Sequence, residues 1–247
     1  MVFTIITSSA DVEAVALGPD GLIEGMPPGS VLVDCSTIAP DAARHIAARL
    51  AENGIHMLDA PVSGGAQGAI DATLAIMAGG DAAVLERVRP LLDCLGKRIV
   101  HIGPNGAGQV AKACNQMIMV AAIEAAAEAM RLAAASGVDC AKVRQALAGG
   151  SAASRVLDVM GERMVRRDFA AGIEARLHHK DFGLVMEAAG MDASVVEVSP
   201  ASEDSPLSSV MQPMTAASPR PTMPRAASSS RRACAPWCAG ATAARSR

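Results

Sequence analysis

Aromatic residues are nearly absent from this 247-residue chain, which has no tyrosine, three phenylalanines and one tryptophan. Because 51% of the residues are hydrophobic, the core must be built from Ala, Val, Leu, Ile and Met, which favours helices and short aliphatic strands. The net charge is only −3, so the chain lacks the positive excess that binding to nucleic acid or an anionic membrane needs. The default interpretation is a globular protein that acts on small molecules.

Clustered cysteines and long apolar segments are also lacking. The scattered cysteines favour a reduced, cytoplasmic compartment over a disulfide framework. Cys234 and Cys238 lack the additional Cys or His ligands of a zinc site, so we expect no metal. No stretch of about 20 apolar residues could span a membrane, and no basic segment precedes the first apolar run as it would in a signal peptide.

Short aliphatic runs alternate with helical patterns over residues 1–104. Strands are predicted at residues 2–6, 31–34, 55–58, 74–78 and 99–102. Helices are predicted at residues 40–51 and 81–95. This alternation predicts an α/β fold with a partial doubly wound, Rossmann-like sheet that is covered on both faces, forming a truncated dinucleotide-binding domain.

The pattern becomes helical over residues 105–190, which we interpret as a substrate and dimerisation domain. It begins with a long Ala-rich helix at residues 109–135, which contain neither Pro nor Gly. Further helices are predicted at residues 140–147, 154–165 and 181–189. Residues 191–247 are rich in Ser, Pro and Arg, so we expect a disordered tail.

The start of the long helix carries the first candidate site. Lys112 follows a glycine-rich turn, and Asn115 and Gln116 share its helix face. The positive end of the helix macrodipole should lower the pKa of Lys112, as a proton-transferring lysine requires. A solvent-facing lysine is the alternative, although a polar trio on so apolar a helix favours the functional interpretation.

Two turns that follow predicted strands are further candidates. The turn at residues 63–65 comes after Pro61, which should end strand pairing. The backbone N–H groups of this turn could hold a carboxylate. An ordinary glycine-rich turn is the alternative. Ser36 and Thr37 lie at the carboxyl end of another strand, where doubly wound folds bind ligands, or they cap the following helix.

The last candidate lies at the start of the final predicted helix. Lys180 could be a second cationic anchor for an acid substrate, with Asp181 as the helix N-cap. The alternative is an exposed charge pair that contributes little. The preceding residues His178 and His179 are expected at the surface.

In this order and spacing the four motifs resemble the β-hydroxyacid dehydrogenase family over residues 1–190. The resemblance implies an enzyme that transfers a hydride between a small 3-hydroxy acid, or its semialdehyde, and NAD or NADP. It assigns catalysis to Lys112 and Asn115. It assigns substrate binding to Ser63, Gly64, Gly65 and Lys180. It assigns cofactor contacts to Ile6, Thr7, Asp11, Thr37 and Lys180, although the family usually has Leu-Pro at the first two positions.

The sequence departs from that family at both ends. Such enzymes open with a strand and a G-x-G-x-x-G turn that holds the pyrophosphate, and nothing of this kind precedes Met1, so we expect a βαβ unit to be missing. The compositional break near Gly190 suggests a frameshift. We therefore expect weak or no dehydrogenase activity, with a non-catalytic remnant or a helical oligomerisation module as the alternative. The apolar face of the long helix also predicts a homo-oligomer.

Overall fold

The computed structural model describes residues 1–170 and 175–188, with no side chain described at residue 175. The strands are β1 (Val2–Thr4), β2 (Val31–Asp34), β3 (His56–Asp59), β4 (Val62–Ser63), β5 (Leu74–Gly79) and β6 (Gly96–Gly103). The helices are α1 (Ser9–Leu17), α2 (Leu22–Gly25), α3 (Pro40–Ala51), α4 (Gly65–Ile70), α5 (Ala82–Leu92), α6 (Ala107–Ala135), α7 (Cys140–Ala148), α8 (Glu162–Arg166) and α9 (Ala175–Ala188). The predicted tail, with Cys234 and Cys238, lies outside the described residues.

The six strands form one mixed sheet, which confirms the predicted Rossmann-like α/β architecture. Strands β1, β2 and β3 are parallel neighbours, whereas β5 runs antiparallel to both β3 and β4 and pairs with β6 in parallel. The predicted break at Pro61 is present, because β3 ends at Asp59 and β4 begins at Val62. Proline lacks an N–H but keeps its carbonyl, and Pro61 O accepts a hydrogen bond from Met77 N at 3.0 Å before pairing resumes in β4.

Helices cover both faces of the sheet, as the continuous aliphatic runs predicted. Alternate residues of β2 point to opposite faces, so Val31 and Val33 enter one core while Leu32 enters the other. The first core packs against α5 through Val84, Leu85, Val88 and Leu92. The second packs against α1 and α3 through Val12, Ala16, Ala43, Ile46 and Leu50.

The helical region begins with α6, whose N-cap Gly106 has a φ of +87°. The helix predicted at 154–165 contains a π-helical turn (Leu157–Gly161) that leads into α8. Helix α9 begins six residues before its predicted start, so Asp181 lies in the middle of the helix and is not its N-cap. Within the described ranges, no helix combines the length and the apolar character that a membrane crossing requires.

Candidate active site

The Lys112 side chain points into the protein. Only 8% of the residue is exposed, and its ammonium nitrogen donates a hydrogen bond to Val62 O at 2.8 Å. Val62 precedes Ser63, so the sixth residue of α6 meets the serine-glycine turn that follows β3 and β4. The alternative of a solvent-facing lysine is therefore wrong.

Burial lowers the pKa of Lys112, which is the direction expected from the sequence but with a different main cause. The positive charge of Lys180 lowers the pKa further, and the negative charge of Asp181 opposes the shift. The shift makes the neutral amine, the form of a lysine that can accept a proton, more accessible than it is for an exposed lysine.

Ser63, the last residue of β4, lies against α6. Ser63 Oγ donates to Asn115 Oδ1 at 3.2 Å. The next two residues have positive φ angles, +142° at Gly64 and +64° at Gly65. The φ angle of Gly64 favours glycine at this position, and a Cβ there would also lie 3.0 Å from Leu74 Cδ2.

A chain of polar side chains leads from Asn115 to α9. Asn115 Nδ2 donates to Gln116 Oε1 at 2.8 Å, and Gln116 Nε2 donates to Asp181 Oδ2 at 2.5 Å. The Lys180 ammonium lies 3.0 Å from Asp181 Oδ1 and forms an ion pair with it, although the geometry is not that of a hydrogen bond. The same ammonium donates a hydrogen bond to Thr37 O at 2.7 Å. The alternative of an exposed charge pair is wrong, because only 8% of Asp181 is exposed.

Thr37 lies at the carboxyl ends of the parallel strands β1 and β2, the edge at which doubly wound folds bind ligands. Ser36 Oγ donates to Asp34 Oδ1 at 2.6 Å and accepts from Ile6 N at 2.8 Å, which joins the two strand ends. Burial raises the pKa of the Asp34 carboxyl, although the hydrogen bonds that it accepts from Ser36 and Thr4 lower this pKa. Neither Ser36 nor Thr37 caps the following helix, because its N-cap is Ala39.

The remaining predicted cofactor residues lie where β1 leads into α1. Ile6 is half-buried beside Ser36, whereas Thr7 and Asp11 are exposed. Asp11 forms a capping box with Ser8, accepting from its hydroxyl at 2.6 Å and its backbone N–H at 3.2 Å. The cofactor contacts of these residues stay predictions.

Three side chains that the sequence analysis did not assign to the site also lie in it. The fully buried Asp59 carboxylate accepts from Gly106 N at 2.8 Å and Gln109 N at 3.1 Å, and burial raises its pKa. The Gln109 carboxamide binds the loop that contains Thr37.

His178, expected at the surface, is half-buried. Burial and the positive charge of Lys112 lower the pKa of His178, and the negative charge of Asp181 opposes this shift. In the sequence, the only indication that His178 lies in the site is its position two residues before Lys180.

No group of three or more His, Cys, Asp or Glu residues in the described parts of the chain could hold a metal ion. The functional groups brought together are an amine, amides, hydroxyls and a second cation, which suit a small anionic substrate better than a metal.

Comparisons with known proteins match both parts of the chain. Residues 1–103 match the family model for the NAD binding domain of 6-phosphogluconate dehydrogenase. Residues 106–203 match the model for the NAD-binding region of NADP-dependent 3-hydroxyisobutyrate dehydrogenase. These two matches divide the chain just before α6.

Two curated relatives show the extent of the similarity. The 2-hydroxy-3-oxopropionate reductase of Escherichia coli is 45% identical over 189 residues, covering 76% of this chain and 65% of that protein. The NAD-dependent L-serine dehydrogenase of Pseudomonas aeruginosa is 43% identical over 201 residues, covering 78% of this chain and 67% of that protein. The chain thus spans about two thirds of the length of these relatives.

Solved structures show the same similarity in three dimensions. A 3-hydroxyisobutyrate dehydrogenase from Mycobacterium tuberculosis, solved with L-serine, has a TM-score of 0.68 at 32% identity and covers 85% of this chain and 71% of its own. A 3-hydroxyisobutyrate dehydrogenase from Salmonella typhimurium has a TM-score of 0.70 at 30% identity, covering 85% of this chain and 70% of its own.

Proposed function

Because this chain belongs to the β-hydroxyacid dehydrogenase family, we propose that its site transfers a hydride between a small 3-hydroxy acid, or its semialdehyde, and NAD or NADP. The observation that carries the proposal is the buried Lys112 amine, 2.8 Å from the carbonyl that precedes the Ser63 turn. A remnant or an oligomerisation helix has no use for this arrangement.

In the proposed reaction, Lys112 moves the proton of the substrate. During oxidation the neutral amine accepts the hydroxyl proton while the carbinol C–H bond breaks and the carbonyl C=O bond forms. A bound nicotinamide ring supplies or takes up the hydride. During reduction the protonated amine returns its proton to the carbonyl oxygen.

The neighbouring groups hold the substrate against Lys112. Ser63, Gly64 and Gly65 bind the carboxylate, and Asn115 orients the hydroxyl-bearing part of the molecule. The Ser63–Asn115 hydrogen bond supports this assignment, since it links the turn directly to the Lys112 helix. Lys180 adds positive charge, which favours an anionic substrate over a neutral one.

The cofactor residues proposed are Ile6, Thr7, Asp11 and Thr37, with Lys180 contacting both cofactor and substrate. Their support is the location of Ile6 and Thr37 at the carboxyl ends of adjacent parallel strands. Thr37 is also the only partly exposed residue between residues 31 and 40. Its side chain therefore has access to a ligand where its neighbours do not.

Turnover of a substrate panel tests the proposal. The panel contains L-serine, 3-hydroxyisobutyrate and 2-hydroxy-3-oxopropionate, each measured by nicotinamide absorbance with both cofactor forms. Lys112→Ala should lower kcat by about 100-fold or more, because proton transfer by a positioned group contributes at least that much. Lys142→Ala, which removes an exposed lysine of α7, should leave kcat unchanged. Equal turnover in the Lys112 variant, or a wild-type chain that neither turns over the panel nor binds NADH or NADPH, would refute the proposal.

The proposed assembly is a homo-oligomer formed through α6, in the cytosol. Its support is a line of apolar side chains on the exposed face of that helix. Val110 is 41% exposed, Ile118 is 73% exposed and Leu132 is 70% exposed. Burying this face against a second copy would remove apolar surface from water.

A further inference from the structure

The loop that contains Thr37 is held by a side chain to which the proposed reaction assigns no role. Gln109 Nε2 donates to Ser36 O at 2.9 Å, and Gln109 Oε1 accepts from Ile38 N at 3.1 Å. One carboxamide therefore binds the backbone on both sides of Thr37. Only 2% of Gln109 is exposed, so water does not compete for these two bonds.

The chemistry of this contact restricts which residue can make it. Ser36 O needs a donor and Ile38 N–H needs an acceptor, separated by about the width of one planar amide. An ionised Glu would supply acceptors only, and Lys would supply donors only. The orientation of the Gln109 amide follows from its two backbone partners.

Gln109 is itself fixed by the start of α6. Its backbone N–H donates to Asp59 Oδ2 at 3.1 Å. A Cβ on the preceding residue, Gly108, would lie 2.3 Å from Met77 O and 2.6 Å from Asp59 O, so the helix packs directly on the sheet there. The carboxamide thus projects from a rigid base.

Lys112 lies three residues after Gln109, on the same side of α6. One helix therefore carries both the amine that contacts the Ser63 turn and the amide that binds the Thr37 loop. The Lys180 ammonium, from α9, binds the intervening carbonyl, Thr37 O, at 2.7 Å.

We propose that Gln109 is a positioning residue that fixes Thr37, and with it the nicotinamide side of the site, at a set distance from Lys112. This inference rests on the proposed function, because it takes Thr37 as a cofactor contact. Hydride transfer depends steeply on geometry, and a displacement of about 1 Å can cost about 100-fold in rate. The contact itself exists whether or not the chain turns over.

The first measurement is amide hydrogen exchange, which needs no activity. Gln109→Met keeps the length and volume of the side chain but removes both hydrogen bonds. The Ile38 amide should then exchange about 10- to 100-fold faster than in the wild type, while the amide of Leu58 in β3 stays unchanged. If this variant does not fold, Gln109→Asn replaces it, because its amide is one methylene too short to reach both partners. Unchanged exchange at Ile38 would overturn the proposal.

The second measurement separates positioning from general destabilisation. The isotope effect on kcat is measured by comparing the hydroxy acid with the same substrate deuterated at the carbinol carbon. Gln109→Met should lower kcat about 10-fold or more and increase this isotope effect. The KM for the hydroxy acid should stay within about twofold of the wild-type value. Leu92→Ala truncates the core beside α5 and serves as the control. It should lower the thermal midpoint without changing the isotope effect.

Two outcomes of this second measurement would overturn the positioning role. In one, Ile38 exchanges faster in the Gln109 variant but the isotope effect stays at its wild-type value, which would make the contact purely structural. In the other, the wild-type chain neither turns over any panel substrate nor binds NADH or NADPH, which would refute the proposed function and the positioning role together. The exchange result distinguishes the second case, since it reports on the contact alone.

Discussion

Asp59 accepts hydrogen bonds from the first turn of α6, and Asp59→Ala tests whether these bonds hold the helix on the sheet. The carboxylate is fully buried, and its two oxygens accept from Gly106 N and Gln109 N at 2.8 and 3.1 Å. Alanine would leave both donors buried without a partner. The terminal N–H groups of a helix have no acceptor within the helix itself.

The expected cost follows from these two bonds. Hydrogen bonds to a charged group contribute about 1.5–3 kcal/mol each. Part of this loss is offset, because alanine also removes a carboxylate whose raised pKa shows that burial disfavours its charge. We therefore expect Asp59→Ala to lower the free energy of unfolding by about 2–5 kcal/mol, at the upper end of single substitutions.

Urea unfolding followed by circular dichroism measures this change. Asp71→Ala is the matched control, since Asp71 is exposed and accepts one surface hydrogen bond from Gln67. Its effect should stay within about 0.5 kcal/mol. A loss below about 1 kcal/mol in the Asp59 variant would show that the two bonds do not anchor α6.

Three further predictions follow from burial and charge. Hydroxy acid oxidation should accelerate as the pH rises through the lowered pKa of Lys112, because only the neutral amine accepts a proton. Asp181→Asn removes a negative charge that raises this pKa, so it should move the midpoint of the pH profile of kcat/KM to lower pH. An unmoved midpoint would contradict the role of Lys112. Burial raises the pKa of the Cys35 thiol to about 12, so iodoacetamide should label the exposed Cys114 and spare Cys35 in peptide mass spectra. Equal labelling would be inconsistent with the buried thiol. Ile118→Glu should reduce the mass measured by light scattering, whereas a monomeric wild type would refute the oligomer.

Local pattern predicted the elements whose signals lie within one segment. The bounds of β2 and α3 agree with the prediction, since an uninterrupted aliphatic run and an apolar periodicity beginning at Pro40 specify them. Helix α1 was missed because its hydrophobic periodicity is weak. The signal that could have revealed it is the capping box formed by Ser8 and Asp11.

The sequence by itself determined the α/β class, the long Ala-rich helix and the motifs around Lys112 and Ser63, because these depend on periodicity, glycine placement and residue type over short distances. Only the tertiary structure decided which polar side chains are buried and what they contact. Gln109 binds a loop 71 residues away, and Lys180 reaches a carbonyl 143 residues away. The pKa of Lys112 is likewise set mainly by burial, which depends on how α6 packs against the sheet and α9. Such contacts arise from packing between distant segments, and local pattern carries no information about that packing.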